Sequence, residues 1–140
     1  MKEIFIDADI ILDLLAKRDP YYNYSAKLFS LIDSKKTIGF TSPIIIANMN
    51  YILTRILGKS KAIKNIQKIV TILKILPVDE KIIKLALSSD FSDFEDAIQY
   101  YTTIGNNINF LITRNIKDYK PAKIPILTAE EYITIYHLST

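Results

Sequence analysis

The chain has 140 residues, of which 49% are hydrophobic and 24% charged, enough for one folded domain with a single core and too apolar for disorder. It holds no cysteine, which excludes disulfide scaffolds, zinc–cysteine sites, iron–sulfur clusters and cysteine nucleophiles. Its net charge is +3, and its one histidine, His137, gives no basis for a Ser-His-Asp triad or a multi-histidine metal site, so any metal would have to be held by oxygen.

In chain order, Glu3 to Ile6 is a short apolar run that stops at Asp7 and reads as a buried strand. Leu12, Leu14 and Leu15 follow at helical spacing, up to Arg18-Asp19-Pro20, which breaks the helix. Tyr22 to Lys35 is an amphipathic helix with Ala26, Phe29 and Ile32 on one face, and Thr37 to Thr41 is a second strand. Ser42-Pro43 opens a helix, the hydroxyl as cap and the proline at the first position, and Gly58 closes it after Leu57. Ser60 to Lys74 is a helix with the stripe Ile63, Ile66, Ile69, Val70 and Leu73. Ile75 to Val78 is a third strand and Asp79 to Ser88 a further helix.

Ser92-Asp93-Phe94-Glu95 has capping-box form, so a helix is expected from Asp93 to about Gly105, with Phe94, Ala97, Ile98 and Tyr101 as its core stripe. Asn109 to Thr113 is a fourth strand and Ile124 to Leu127 a short fifth. Thr128-Ala129-Glu130-Glu131 is a second capping box opening the last helix. Strands alternating with helices imply a three-layer α/β/α sandwich around a mainly parallel sheet of four to five strands, in one domain spanning residues 1–140. Met1-Lys2-Glu3 leads straight into structure and no apolar run approaches the roughly 18 residues of a membrane span, so a cytoplasmic protein without membrane association is expected.

Charge is unevenly placed. Lys59, Lys61, Lys64, Lys68 and Lys74 follow one another without an acid, whereas Asp79, Glu80, Asp90, Asp93, Glu95 and Asp96 crowd the next segment. A basic segment beside an acidic one suits an enzyme that binds a polyanion and holds cations at its chemistry; a solvated helix face is the plainer reading of the lysines. In open parallel sheets, ligands bind beyond the carboxyl ends of the strands. Asp7 ends the first strand, Asp96 lies in the first turns of the helix before the fourth, and Asp118 follows the fourth by five residues. Carboxylates converging on one crevice repel unless cations neutralise them, and one or two Mg²⁺ or Mn²⁺ ions are the economical partners. Asp93 shares a helix face with Asp96 or complements the helix dipole, and Glu95 reads as the capping-box acid.

These residues resemble a family. Phe5-Ile6-Asp7-Ala8-Asp9-Ile10-Ile11-Leu12-Asp13 is similar to the first motif of the PIN domain, a metal-dependent nuclease fold. Asp93-Phe94-Glu95-Asp96-Ala97-Ile98-Gln99-Tyr100 resembles its later acidic helix, with the metal-binding acid matching Asp96, and Leu111-Ile112-Thr113-Arg114-Asn115-Ile116-Lys117-Asp118-Tyr119 resembles its strand-turn motif. Ile124-Pro125-Ile126-Leu127-Thr128 also fits, so the likeness spans nearly the whole chain in order. Three positions depart from the pattern: Asp9 stands where Asn is usual, Asn48 where many members place a glutamate ligand, and Asn115 where many have Asp. Some branches share the Asn-x-x-Tyr-Ile-Leu pattern of Asn48 to Leu53, and an Asn can ligate Mg²⁺ through its carbonyl or orient a water.

The resemblance implies hydrolysis of RNA phosphodiesters, as in VapC-like toxins of toxin–antitoxin pairs. Asp7, Asp96 and Asp118, with Asp9 and Asp93 as further candidates, would hold Mg²⁺ or Mn²⁺, and Asn48, Asn115 and Thr113 would support them from behind. Lys59, Lys61, Lys64, Arg114 and Lys117 would pair with RNA phosphates. The exposed members of nine tyrosines, Tyr21-Tyr22 and Tyr100-Tyr101 foremost, offer either stacking surfaces or core packing. A small antitoxin and a second copy of the chain are the implied protein partners, with the helices at 22–35 and 43–57 as their surfaces. Two other readings compete. Asp7-Ala8-Asp9 also fits the nucleophile and acid/base of a haloacid-dehalogenase-type phosphatase, with Thr41 or Ser42 as its hydroxyl residue. Asn48 and Asn115 also suit a PIN-like module that has lost catalysis and binds RNA or protein.

Overall fold

The computed structural model describes residues 2–139. A parallel five-stranded sheet is built from β1 (Lys2–Ile6), β2 (Thr37–Thr41), β3 (Lys74–Ile75), β4 (Leu111–Ile112) and β5 (Ile126–Leu127), in the order β3-β2-β1-β4-β5. Around it lie α1 (Ala8–Leu15), α2 (Tyr22–Asp33), α3 (Pro43–Leu57), α4 (Lys59–Ile72), α5 (Glu80–Leu87), α6 (Phe94–Gly105) and α7 (Ala129–Ser139). The expected α/β/α sandwich is present, with five strands.

β1 is central, and Ile4, Phe5 and Ile6 are completely buried, as a strand covered on both faces requires. Next to it, β2 lets helices approach closely at Gly39, where a Cβ would come within 2.6 Å of Leu73 Cδ2 and 2.8 Å of Ile32 Cδ1. The chain turns to opposite sides of β1 to form β2 and β4, which makes the carboxyl end of β1 a switch point. There the Asp7 N–H donates to Ile112 O at 3.0 Å, closing the gap between β1 and β4.

The short strands differ from expectation. β3 occupies Lys74–Ile75 rather than Ile75 to Val78, because Pro77 has no N–H to continue the ladder. β4 and β5 are two residues each, and Pro125 enters β5 as an acceptor only, its carbonyl taking the Leu111 N–H at 3.2 Å. In α4, Ala62, Ile66 and Ile69 face the core while Ile63 and Val70 are exposed. The α6 stripe holds at Ala97 and Ile98, but Phe94 in the first turn is exposed. α6 is capped by Asp93 rather than Ser92: its Oδ1 accepts the Asp96 N–H at 2.9 Å. Aspartate caps as well as serine does. The second capping box forms as read, Thr128 Oγ1 accepting from Glu131 N at 3.1 Å and Glu131 Oε1 from Thr128 N at 2.9 Å. Among the described residues, no helix is long and apolar enough to cross a membrane.

Candidate metal centre

Asp7 leaves β1 and caps α1, so its carboxylate is fixed at the switch point by the chain's own path. Oδ1 accepts the Ala8 N–H at 2.8 Å, and Oδ2 accepts the Tyr119 hydroxyl at 2.9 Å and the Thr113 hydroxyl at 3.0 Å. Thr113 Oγ1 also lies 3.1 Å from Asp9 Oδ2, so one proton serves two carboxylates. Asp9 Oδ2 further accepts the Arg114 N–H at 2.9 Å and Asn115 Nδ2 at 3.2 Å. Its Oδ1 is buried and has no partner.

Burial and the neighbouring Asp9 charge push the Asp7 carboxyl up to about 6, against the hydrogen bonds that favour its ionised form. Burial pushes Asp9 up as well. Asp96, half-buried on α6, is pushed to about 7, first by burial and then by the charges of Asp7, Asp93, Asp118 and Asp9. That sequence of perturbers brings Asp7, Asp9, Asp93, Asp96 and Asp118 into one electrostatic neighbourhood. Asp118 is exposed on a 3₁₀ turn, Ile116–Tyr119, that the sequence reading did not contain.

Two further residues were missed. Tyr119 is buried, and its ring packs edge-on against Phe91 with centroids 5.8 Å apart, an anchor that aims its hydroxyl at Asp7. Burial and the Asp7 carboxylate push its phenol well above its ordinary range, so it remains a donor. Asp13 is completely buried in α1 and takes Arg114 in a two-toothed pair, Nε to Oδ2 at 2.7 Å and Nη2 to Oδ1 at 3.1 Å, with Arg18 Nε at 3.1 Å from Oδ1. A charge in the middle of the apolar run Ile10 to Leu15 was the available signal, since a buried carboxylate needs a partner.

The cations divide. Arg114 is committed to Asp13 and stacks 3.9 Å from the Tyr21 ring centroid, so it braces the centre rather than reaching outward. Lys117 is exposed beside Asp118. Lys59, Lys61 and Lys64 are exposed on α4, which begins after α3 has carried the chain about 22 Å along its axis from Ser42. Asn48 donates from Nδ2 to Glu95 Oε1 at 2.9 Å, so Glu95 answers α3 rather than a capping box.

Among the described residues, no three carboxylates form a ready-made cage for an ion. The donor set nevertheless fits a hard cation that keeps several of its waters: oxygen ligands only, mutually repelling acids, and the unpartnered Asp9 Oδ1.

The fold and site together define a doubly wound sheet with an acidic switch point. Residues 3–117 match the PIN domain family model, and the chain belongs to that family. This sets aside the haloacid-dehalogenase reading of Asp7 and Asp9. The chain is 27% identical over 136 residues to Ribonuclease VapC1 of Aquifex aeolicus, covering 94% of this chain and 93% of that one. Among solved structures it is similar to FitAcB from Neisseria gonorrhoeae, with TM-score 0.71 and 18% identity over 91% of this chain and 98% of that one. A toxin–antitoxin complex from Klebsiella pneumoniae gives TM-score 0.67 and 18% identity, with coverage of 90% and 97%.

Arg114→Met is expected to destabilise the fold by about 3 kcal/mol, because it strips the closer partner from a buried carboxylate, whereas Arg18→Ala, at a more exposed pair, should cost under about 1 kcal/mol. Denaturant unfolding of the two variants measures the difference; equal losses would contradict it. Asp7 and Asp96 both ionise less readily folded than unfolded. The folded chain therefore binds more protons, and without divalent ions its stability should fall as pH rises from about 4 through about 7. Thermal melts across that window should show the fall flattened by Asp7→Asn and offset by added Mn²⁺; a rise would contradict it.

Proposed function

We propose that this chain is a divalent-metal-dependent endoribonuclease that hydrolyses RNA phosphodiester bonds and serves as the toxin of a toxin–antitoxin pair. The observation that carries the reading is the buried, hydrogen-bonded Asp7 carboxylate at the switch point, facing acids whose repulsion calls for a cation. Membership of the PIN domain family and the ribonuclease name of the Aquifex relative support it. Asp7, Asp96 and Asp118 would hold Mg²⁺ or Mn²⁺, with Asp9 beside them, and Asp93 is occupied on one oxygen by the α6 cap. The bound ion would supply a water of lowered pKa and neutralise phosphate charge.

The protein's own part is positional. Tyr119 and Thr113 hold Asp7 in one orientation, and the Arg114 and Asn115 donors hold Asp9. Asp96, near neutrality, is able to take up or release a proton at working pH. Lys117, beside Asp118, is the cation best placed for an RNA phosphate, and the α4 lysines would extend the basic track further off. The Klebsiella structure is a toxin–antitoxin complex, and the exposed apolar side chains Tyr51 and Ile56 on α3 support a protein partner here, a small antitoxin or a second copy of the chain. Cytoplasmic action fits such a role.

Cleavage of a mixed structured and single-stranded RNA pool, with Mg²⁺ or Mn²⁺ against EDTA, tests the reading. Metal-dependent cuts leaving 5′-phosphates should vanish in Asp7→Asn and Asp96→Asn, and Tyr119→Phe should slow them about 10- to 100-fold. Folded protein that binds RNA or a partner yet cleaves nothing at high metal would instead make this a PIN-like binding module, with Asn48 as the loss that explains it.

A further inference from the structure

A cleft of about 410 Å³ opens beside the acid centre, with Tyr21, Tyr24, Ser25, Arg114, Asn115 and Glu130 in its walls. Ser25 is 1% exposed and its Oγ makes no hydrogen bond, although it could have turned back to a carbonyl of its own helix. A buried hydroxyl facing a cleft without a partner is a costly feature in a fold and a ready one for a ligand. Tyr21 and Tyr24 are 42% and 39% exposed, a large aromatic surface to leave wet. One face of Tyr21 is covered by the Arg114 guanidinium, which Asp13 holds in place.

Charge narrows the ligand. Asp13 neutralises Arg114 and Glu130 stands in the wall, so a phosphate finds no free cation there, while a neutral planar ring with a polar edge finds tyrosines, a hydroxyl and an amide. Position narrows it again. Arg114 and Asn115 line this cleft and also donate to Asp9 Oδ2, so the cleft mouth adjoins the carboxylates.

We propose that this cleft takes one nucleobase of a single-stranded RNA engaged at the acid centre, its ring stacked on Tyr24 and Tyr21 and its edge meeting Ser25 and Asn115. The inference rests on the ribonuclease reading above and adds to it a base-selecting subsite.

The test uses the full chain carrying Asp96→Asn, which removes cleavage and one repelling carboxylate, with Mg²⁺ and labelled single-stranded oligouridylate and oligoadenylate. By fluorescence anisotropy, Tyr24→Ala should weaken binding about tenfold, as expected for losing one base–aromatic stack, and Tyr24→Phe should restore it. Ser25→Ala should change the ratio of the two affinities, whereas Leu87→Ala, at an exposed residue on α5, should change neither. Photocrosslinking of 4-thiouridine RNA to the unsubstituted chain should mark the peptide containing Tyr21 to Ser25, a reading that needs no variant to fold. Undiminished binding by folded Tyr24→Ala, or crosslinks only elsewhere, would overturn the subsite and leave the ribonuclease reading standing. If no RNA is bound or cut by the unsubstituted chain, both fall. If Tyr24→Ala loses a co-expressed partner protein but keeps its RNA affinity, the cleft belongs to a protein side chain and the proposal is overturned.

Discussion

A carboxylate buried at the end of a central strand is unstable as a charge, and the organisation of this molecule around its acidic end follows from keeping one there. Asp7 lies where the chain leaves β1, caps the following helix with one oxygen and accepts two hydroxyls with the other. Each donor comes from a different segment: Ala8 from α1, Thr113 from the end of β4, Tyr119 from the turn beyond it. The hydrogen bonds favour ionisation, burial and Asp9 oppose it, and the opposition wins, leaving the carboxyl near 6. The group is thus held in place but left electrostatically unsatisfied, which is the condition in which an incoming cation gains most.

A second, outer layer keeps that arrangement from collapsing. Asp13 draws Arg114 inward, and Arg114 in turn places its own N–H on Asp9 and its guanidinium on Tyr21. One arginine therefore joins the buried face of α1, the loop after β4 and the aromatic wall of the adjoining cleft. Removing Arg114 leaves the buried Asp13 carboxylate with Arg18 alone and frees the Tyr21 face, so packing and charge are coupled at this residue. Phe91, Tyr100 and Tyr101 perform the same service for Tyr119, ring against ring, on the α6 side.

Much of this was legible in the sequence. The order of elements, the cap at Ser42, the stop at Gly58 and the switch-point acids follow from periodicity, capping chemistry and the geometry of parallel sheets. The rest escaped because it depends on distance rather than spacing. Tyr119 and Asp7 are 112 residues apart, and nothing local ties them. Arg114 reads as a phosphate ligand until Asp13 is seen to claim it. Ser92 and Asp93 are both good caps, and only the backbone path decided for Asp93. The lysines of α4 are a charge run in sequence, yet a helix length separates their start from Ser42.

A divalent ion held by Asp7 and Asp96 would have to displace the protons that burial and mutual repulsion keep on them near neutral pH. Calorimetric titration of the unsubstituted chain with Mn²⁺ at about pH 6.5, repeated in two buffers of different ionisation heat, counts the protons released on binding. Release on the order of one proton per ion is expected, lost together with tight binding in Asp7→Asn. Binding without proton release, or binding that Asp7→Asn leaves unchanged, would contradict it.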